Sequence, residues 1–314
     1  VVRVQDVPDP VIGEADVLIR VHATTVTTAD WRVRSKVMPS PVFTVIAPLV
    51  LGVRGPRKRV LGTECAGVVE AVGARVTTFK PGDRVVAAVG ARMGAHAELV
   101  CVREDAAVVA MPASLTFEQA VAMPFGGLTA LCYLRDVAKV RPGQRVLVNG
   151  ASGAVGVAAV QLAAGMGAHV TGVCSTANVE RVRALGAAVV IDRTTQDFTR
   201  GTATYDIVLD TVGATSFAKC RGVLAKDGQF LAVLMGVTEF WQMLWTRFVG
   251  GRRVRGAIVV EKKADLAYLM GLAASGELVP VIDGCYAFEE IVEAHRRVDS
   301  GRKVGSVVVR VKGE

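Results

Sequence analysis

The sequence predicts an α/β protein in which a small β-barrel domain is joined to a doubly wound parallel-sheet domain. Three observations carry this. Residues up to about Glu104 read as short strands separated by turns. From Val140 onward, strands alternate with helices, the pattern of a parallel sheet with crossover helices. Between one of those strands and its helix lies a glycine-rich turn, Gly150 to Gly156. The 314 residues allow two ordinary domains, and 51% hydrophobic with 21% charged residues excludes a disordered or fibrous chain.

In order along the chain, Asp16 to His22 alternates and is β-branched, so it reads as a strand. Gly67 to Val72 and Arg84 to Ala88 follow, with Lys80-Pro81-Gly82-Asp83 as the turn between them, and then Ala97 to Val102. Thr116 to Met123 opens a helix, with Ser114 as its expected N-cap. Arg145 to Asn149 is an apolar strand, and Val155 to Met166 is a helix ended by Gly167. His169 to Val173 is the next strand, Asn178 to Leu185 a helix closed by Gly186, and Ala188 to Ile191 a third strand. Tyr205 to Asp210, Gly228 to Val233 and Val254 to Val260 continue the series. Leu278 to Ile282 is expected to be extended. Phe288 to Ser300 reads as a helix with acids early and Arg296 and Arg297 late, which suits its dipole, and Val304 to Val311 closes the chain as a strand. Val1 stands inside what reads as a strand, so residues are expected to be missing before it, and no signal peptide opens the chain.

The net charge is +8, but Lys and Arg are spread along the chain. The only small clusters are Arg54, Arg57, Lys58 and Arg59, and Arg252, Arg253 and Arg255. A solvated mixed surface explains this best, then a phosphorylated cofactor, and nucleic acid last, since aromatic residues are only 5%. The uncharged stretch Val37 to Val53 is broken by three prolines, and Val146 to Val179 carries many glycines, so no membrane span is expected. Six cysteines and four histidines are dispersed without a C-x-x-C, which points to reduced thiols, a cytoplasmic setting and no local zinc knuckle.

The turn Gly150-Ala151-Ser152-Gly153-Ala154-Val155-Gly156 sits where a dinucleotide fingerprint belongs, with Ala151, Gly153 and Gly156 at the three pattern positions. Gly153 would let the backbone approach a pyrophosphate, Gly156 would let the helix pack on its strand, and the amides of Ala154 and Val155 would face the phosphate. At the end of the second strand an acid would hold the ribose of NAD; the sequence has Ser175 and Asn178 instead, with Arg181 a turn further on. NADPH is therefore expected. Ser175 also suits a helix N-cap, and Arg181 suits a solvated helix face equally well.

With these residues in hand the chain resembles the medium-chain dehydrogenase/reductase superfamily, in its zinc-free quinone-oxidoreductase-like branch. The matching segments run from Val17 to Asp30, through Leu61 to Gly73, Lys80 to Val86, Gly94 to Val100 and Leu128 to Leu131, then Val146 to Leu162, Val170 to Ser175, Tyr205 to Gly213 and Gly301 to Val309. The resemblance implies a GroES-like barrel domain built from both chain ends, 1–122 and 262–314. It implies a Rossmann NADP-binding domain over 123–261, with the active site in the cleft between them and a homodimer as the assembly. Zinc-dependent members carry Cys and His where this sequence has Thr27 and Thr63, and Pro124-Phe125-Gly126 offers no third ligand. Hydroxyls are poor zinc ligands, so no metal is expected.

Without a Lewis acid, simple ketone reduction loses its main electrostatic aid, whereas hydride addition to an enone or quinone spreads charge onto an oxygen that hydrogen bonds can hold. The expected activity is an NADPH-dependent, zinc-independent reductase of an activated C=C or a quinone. The alternatives are an alcohol dehydrogenase-like enzyme acting on a carbonyl or alcohol, and a non-catalytic NADPH-binding regulatory protein. The resemblance places Thr27, Asp30 and Thr129 near the nicotinamide, with Asp30 suited rather more to anchoring its loop than to chemistry. Tyr133 is the nearest proton donor, although a buried Tyr bonded to backbone is the commoner case. Thr211, Val212 and Gly213 end the fourth parallel strand, and Leu234 and Met235 the next, where ligands of such sheets bind. Two apolar segments, Pro41 to Ile46 and Phe240 to Trp245, read as walls for an apolar small-molecule substrate, or as core or dimer contacts.

Overall fold

The computed structural model describes residues 2–38 and 58–311. The segment Pro41 to Ile46, Arg54 and Arg57, and most of the uncharged stretch after Val37 lie outside the described residues. Among the described residues, five strands come first: β1 (Asp16–Val26), β2 (Glu64–Val72), β3 (Arg84–Ala88), β4 (Leu99–Arg103) and β5 (Val108–Ala110). Six follow: β6 (Arg145–Asn149), β7 (His169–Cys174), β8 (Val189–Asp192), β9 (Tyr205–Asp210), β10 (Leu224–Ala232) and β11 (Arg253–Arg255). Two close the chain, β12 (Ile282–Ala287) and β13 (Ser306–Arg310).

The chain forms two compact units, one containing residues 129–259 and the other most of the residues before and after them. The changes of unit fall at 128/129 and 259/260, against the expected 122/123 and 261/262. The first lies inside the helix Pro124–Leu131, which carries the chain from one unit into the other.

The first unit is a seven-stranded sheet in the order β12-β13-β1-β2-β3-β5, with β4 also on β1. β1 organises it: its first half pairs with β4, its second half with β13, and β2 lies along it with register shifts at Leu18/Ile19 and Val21/Ala23. Such bulges increase local twist and help a sheet curl. Val17, Ile19 and Val21 point into one core with Cys65, Val85, Val100 and Val108, as strict alternation requires.

The second unit is a six-stranded parallel sheet in the order β11-β10-β9-β6-β7-β8. Numbered within the unit this is the doubly wound 3-2-1-4-5-6 order, whose direction reverses between β6 and β9. Val146, Leu147 and Val148 have no exposed surface, because helices cover both faces of a parallel sheet.

Several expectations are corrected. The helix Phe117–Val121 is capped by Thr116, not Ser114, because Gln119 stands three residues after Thr116 and completes a reciprocal capping box. Residues 2–12 carry no strand, and Val1 itself lies outside the described residues. The stretch expected to be extended, Leu278 to Ile282, leads into the strand that begins at Ile282. The strand expected from Val254 to Val260 ends at Arg255. Phe240 to Trp245 is no irregular wall; it lies within the regular helix Val237–Val249, and Phe240, Trp241 and Trp245 are exposed.

Candidate active site: the end of a parallel sheet and a buried polar cluster

At the switch point, Asn149 and Asp210 end β6 and β9 opposite one another. Asp210 is 2% exposed and accepts the Asn149 side-chain amide at 3.1 Å and the backbone amides of Val212, Gly213 and Thr215 at 3.2, 3.2 and 3.3 Å. Burial raises its pKa in spite of those bonds. Thr211 donates its hydroxyl to the Asn149 carbonyl at 2.8 Å, and Gly150 and Ala151 donate their amides to the Val173 carbonyl at 3.1 and 2.9 Å. The turns after β6 and β9 are therefore stitched together by Asn149, Asp210 and Thr211. Sequence reasoning missed the first two, although a polar residue closing an otherwise apolar strand is the signal that finds them.

The three glycines of the turn differ in cause. Gly150 has φ +82°, and a Cβ there would lie 2.6 Å from the Thr211 hydroxyl oxygen. Gly156 would place a Cβ 2.1 Å from the Gly150 carbonyl, so it is needed for helix packing on the strand. Gly153 has ordinary backbone angles, and a Cβ there would meet only the Gly150 carbonyl oxygen, at 3.6 Å. Neither strain nor protein packing requires glycine at 153, and the space beside it stays open. It is the N-cap of the helix Ala154–Gly165, with half-buried Ser152 before it. The amides of Ala154, Val155 and Gly156 have no acceptor within that helix, as at any helix start. Open room at the positive end of a helix fits a phosphate.

At the end of β7, Asn178 donates its side-chain amide to the Ser175 hydroxyl at 3.1 Å. Ser175 precedes the short turn Thr176–Asn178, and its hydroxyl oxygen accepts from Asn178 and makes no cap bond to the turn's backbone. The Arg193 amide bonds the Cys174 carbonyl at 2.9 Å, and the hydroxyls of Thr176 and Thr194 meet at 2.8 Å. These bonds bring exposed Arg193, just past β8, to the strand end that carries Ser175. Arg181 is also exposed, on the helix Val179–Ala184. Sequence reasoning missed Arg193 because its approach comes from strand pairing, not from spacing. Asp192, paired across from Cys174, is an acid at this strand end; it is held below its usual range by the hydroxyls of Thr176 and Thr194, and Thr194 bonds it twice.

On the other side of the switch point, a Cβ on Gly213 would come within 3.3 Å of Leu234, so Thr211–Gly213 and Leu234 are neighbours. Met235 lies against Gly256 instead. Tyr133 is 1% exposed; its hydroxyl donates to the Ala232 carbonyl at 2.9 Å and accepts the Ala257 amide at 3.1 Å. The expected proton donor is thus committed to the backbone, because burial demands that its polar tip be bonded.

The first unit holds a buried polar cluster. Thr27 caps the helix Thr28–Ser35, and its hydroxyl donates to Asp30 at 2.6 Å. Asp30 has no exposed surface; it also accepts the Thr27 amide at 2.8 Å and the Gly62 amide at 2.8 Å. Asp30 is therefore an anchor in a capping box, not a free acid in a loop. The Thr63 hydroxyl is buried without a partner among the described residues. Glu64 is 1% exposed, and its carboxyl accepts the Thr25 hydroxyl and the Phe125 amide, the latter at 2.6 Å. Burial pushes Glu64 up to about 8, and burial brings nearby Lys303 down to about 8. Phe125 belongs to the helix Pro124–Leu131 that also carries buried Thr129, so Glu64 fixes the start of that helix.

Comparison with known proteins bears on both units. The family model described as "Alcohol dehydrogenase GroES-like domain" matches residues 13–113, and the one described as "Zinc-binding dehydrogenase" matches residues 185–309. The chain is 30% identical over 319 residues to a chloroplastic quinone-oxidoreductase of Triphysaria versicolor, spanning 97% of this chain and 92% of that protein. It is 32% identical to the mitochondrial NAD(P)H oxidoreductase RTN4IP1 of Mus musculus, over 94% of this chain and 82% of that one. Its fold superposes on the quinone oxidoreductase of Coxiella burnetii with a TM-score of 0.87 at 28% identity, covering 98% of this chain and 94% of that one. The residues here do not fit the zinc that the second description names. Among the described residues no three His, Cys, Asp or Glu side chains are placed to hold an ion, and Thr27 is already spent on Asp30.

Proposed function

Because the chain belongs to the medium-chain dehydrogenase/reductase superfamily, in its quinone-oxidoreductase-like branch, we propose that it is an NADPH-dependent, zinc-independent reductase of an activated C=C or a quinone. The observation that carries the proposal is the open space at Gly153, at the head of a helix and at the switch point of a doubly wound sheet. Enzymes of this superfamily use a nicotinamide cofactor, and when bound it supplies hydride.

The chain's own residues would do the rest. Ala151 and Ser152 shape the turn, and Gly153 with the amides of Ala154, Val155 and Gly156 would hold the pyrophosphate. Ser175, Asn178, Arg181 and Arg193 would take the 2′-phosphate, since two hydrogen-bonding side chains and two guanidinium groups suit a dianion. Thr211, Val212, Gly213 and Leu234 would border the cofactor at the strand ends. Thr129 is the hydroxyl we assign to the nicotinamide side. A conjugated acceptor suits this chain because the charge it develops on oxygen needs only hydrogen bonds, not an ion. The partner is a small apolar molecule. The assembly is a homodimer, and the setting is cytoplasmic.

The test is an NADPH-consumption screen over enals, enones and quinones with product identification, run beside metal analysis of the purified protein. Turnover of at least one class without bound zinc is expected. Stoichiometric zinc together with alcohol oxidation would overturn the reading, as would tight NADPH binding with no turnover of any acceptor. Ser175→Asp and Arg193→Ala should each weaken NADPH by about tenfold or more and leave NADH little changed, read by fluorescence titration. Equal affinities of the wild type for the two cofactors would remove the 2′-phosphate assignment.

A further inference from the structure

The helix Pro124–Leu131 begins without a capping side chain of its own. Buried Met123 stands where Ser, Thr, Asn or Asp would accept the first amides. Pro124 has no amide hydrogen, so the first donor of the helix is Phe125. Its acceptor comes from β2: the Phe125 amide donates to Glu64 Oε2 at 2.6 Å. A carboxylate suits the positive end of a helix. Glu64 is itself gripped from β1. Thr25 donates its hydroxyl to the other carboxyl oxygen, and Thr24 donates its hydroxyl to the Glu64 carbonyl at 2.8 Å. Both the main chain and the side chain of Glu64 are therefore fixed.

A buried carboxyl is a costly way to start a helix, and a serine at 123 would do it more cheaply. What the helix carries explains the choice. Thr129 follows Phe125 by four residues, one turn along the same face. The far end is fixed as well. Beyond Leu131 the helix runs on through the π-helical stretch Cys132–Ala138, where the Tyr133 hydroxyl bonds Ala232 and Ala257. There Gln229 donates its side-chain amide to the Ala138 carbonyl at 3.1 Å, and Arg255 donates to the Val137 carbonyl at 3.3 Å. Thr129 thus stands between an anchor made by Glu64 and another made at the ends of the parallel strands. A hydroxyl that meets a reacting ring must be held to a fraction of an ångström, and holding both ends of its helix does this.

We propose that Glu64 is a positioning residue: by holding the Phe125 amide it sets where the Thr129 hydroxyl stands against the nicotinamide. This rests on the assignment of Thr129 made above, and it gives a role in turnover to a side chain that touches neither cofactor nor acceptor.

The test compares Glu64→Ala, Glu64→Gln, Thr129→Val and the double variant Glu64→Ala with Thr129→Val, each in the full chain. Three properties are read: hydrogen exchange over 124–131 without cofactor, the emission of bound NADPH, and kcat and KM with 9,10-phenanthrenequinone. Glu64→Ala should speed exchange over 124–131 and shift the NADPH emission in the direction that Thr129→Val does. It should lower kcat by about tenfold or more and leave NADPH affinity within about twofold, since the phosphate contacts are elsewhere. Glu64→Gln keeps an oxygen for the Phe125 amide and should restore all three properties. The double variant should be no worse than the worse single one, because both changes remove the same contact. Should Glu64→Ala not fold, Glu64→Leu fills the same space without a charge and is read in the same way. If Thr129→Val alters emission and kcat while the Glu64 variants alter only stability, the positioning role is overturned. Effects of the two changes that multiply in the double variant would overturn it too. If Thr129→Val alters neither emission nor kcat, the assignment of Thr129 itself falls.

Discussion

Gly153 and Gly156 stand three residues apart and answer to different demands. Gly156→Ala drives a Cβ into the Gly150 carbonyl, at 2.1 Å, and should cost about 1–3 kcal/mol of stability, measured by denaturant unfolding. Gly153→Ala meets only that carbonyl, at 3.6 Å, so its stability should stay within about 0.5 kcal/mol of wild type, while NADPH affinity falls by about tenfold or more. Loss of stability at 153 with unchanged affinity would show that the turn is only structural. The glycine spacing already assigns the two positions these different tasks, and the space beside each backbone agrees with it. Thr27 and Asp30 are read differently by sequence and by fold. Both read as site residues, and the fold joins them into a helix cap because the carboxylate three residues into the helix reaches back to the cap.

Elements of strong period are legible from sequence: β3, β6 and β9 stand at their expected bounds, since an apolar run between turns has one reading. The helices Thr28–Ser35 and Lys263–Ala274 are not legible in the sequence, the first because its burial is confined to Asp30 and leaves no apolar stripe. The π-helical stretch Cys132–Ala138 continues the helix Pro124–Leu131 and buries Tyr133. Tyr133→Phe removes the ties to Ala232 and Ala257, leaving a buried carbonyl and amide without a partner. It should lower stability by about 1–3 kcal/mol and leave the pH dependence of turnover unchanged. A lost alkaline or acidic limb in the pH profile of kcat would return Tyr133 to the role of proton donor.

At the scale of the whole molecule, buried ionisable groups make stability depend on pH. Glu64 titrates near 8 when folded, against 4.5 for an ordinary glutamate, so its contribution is complete below 4.5 and is lost as pH rises through 8. His295, buried with both ring nitrogens unpartnered among the described residues, is pushed down to about 4 from 6.5 by burial, and its contribution is lost as pH falls through that window. Lys303, brought down from 10.5 to about 8, acts above 8. Between 6.5 and 8 Glu64 therefore acts alone among these three. The denaturant midpoint of the wild type should fall across that interval, and Glu64→Gln should flatten it; an equal fall in both proteins would remove Glu64 as the cause. The sequence by itself determined the two kinds of domain, the order of the parallel strands' elements and the dinucleotide turn, because period, turn residues and glycine spacing are local properties of the chain. Only the tertiary structure decided that Asn149 and Asp210 lock the switch point, that Arg193 arrives beside Ser175, and that Tyr133 and Asp30 are already bonded. Those facts depend on which distant strands become neighbours, and burial then forces every polar group among them to find a partner.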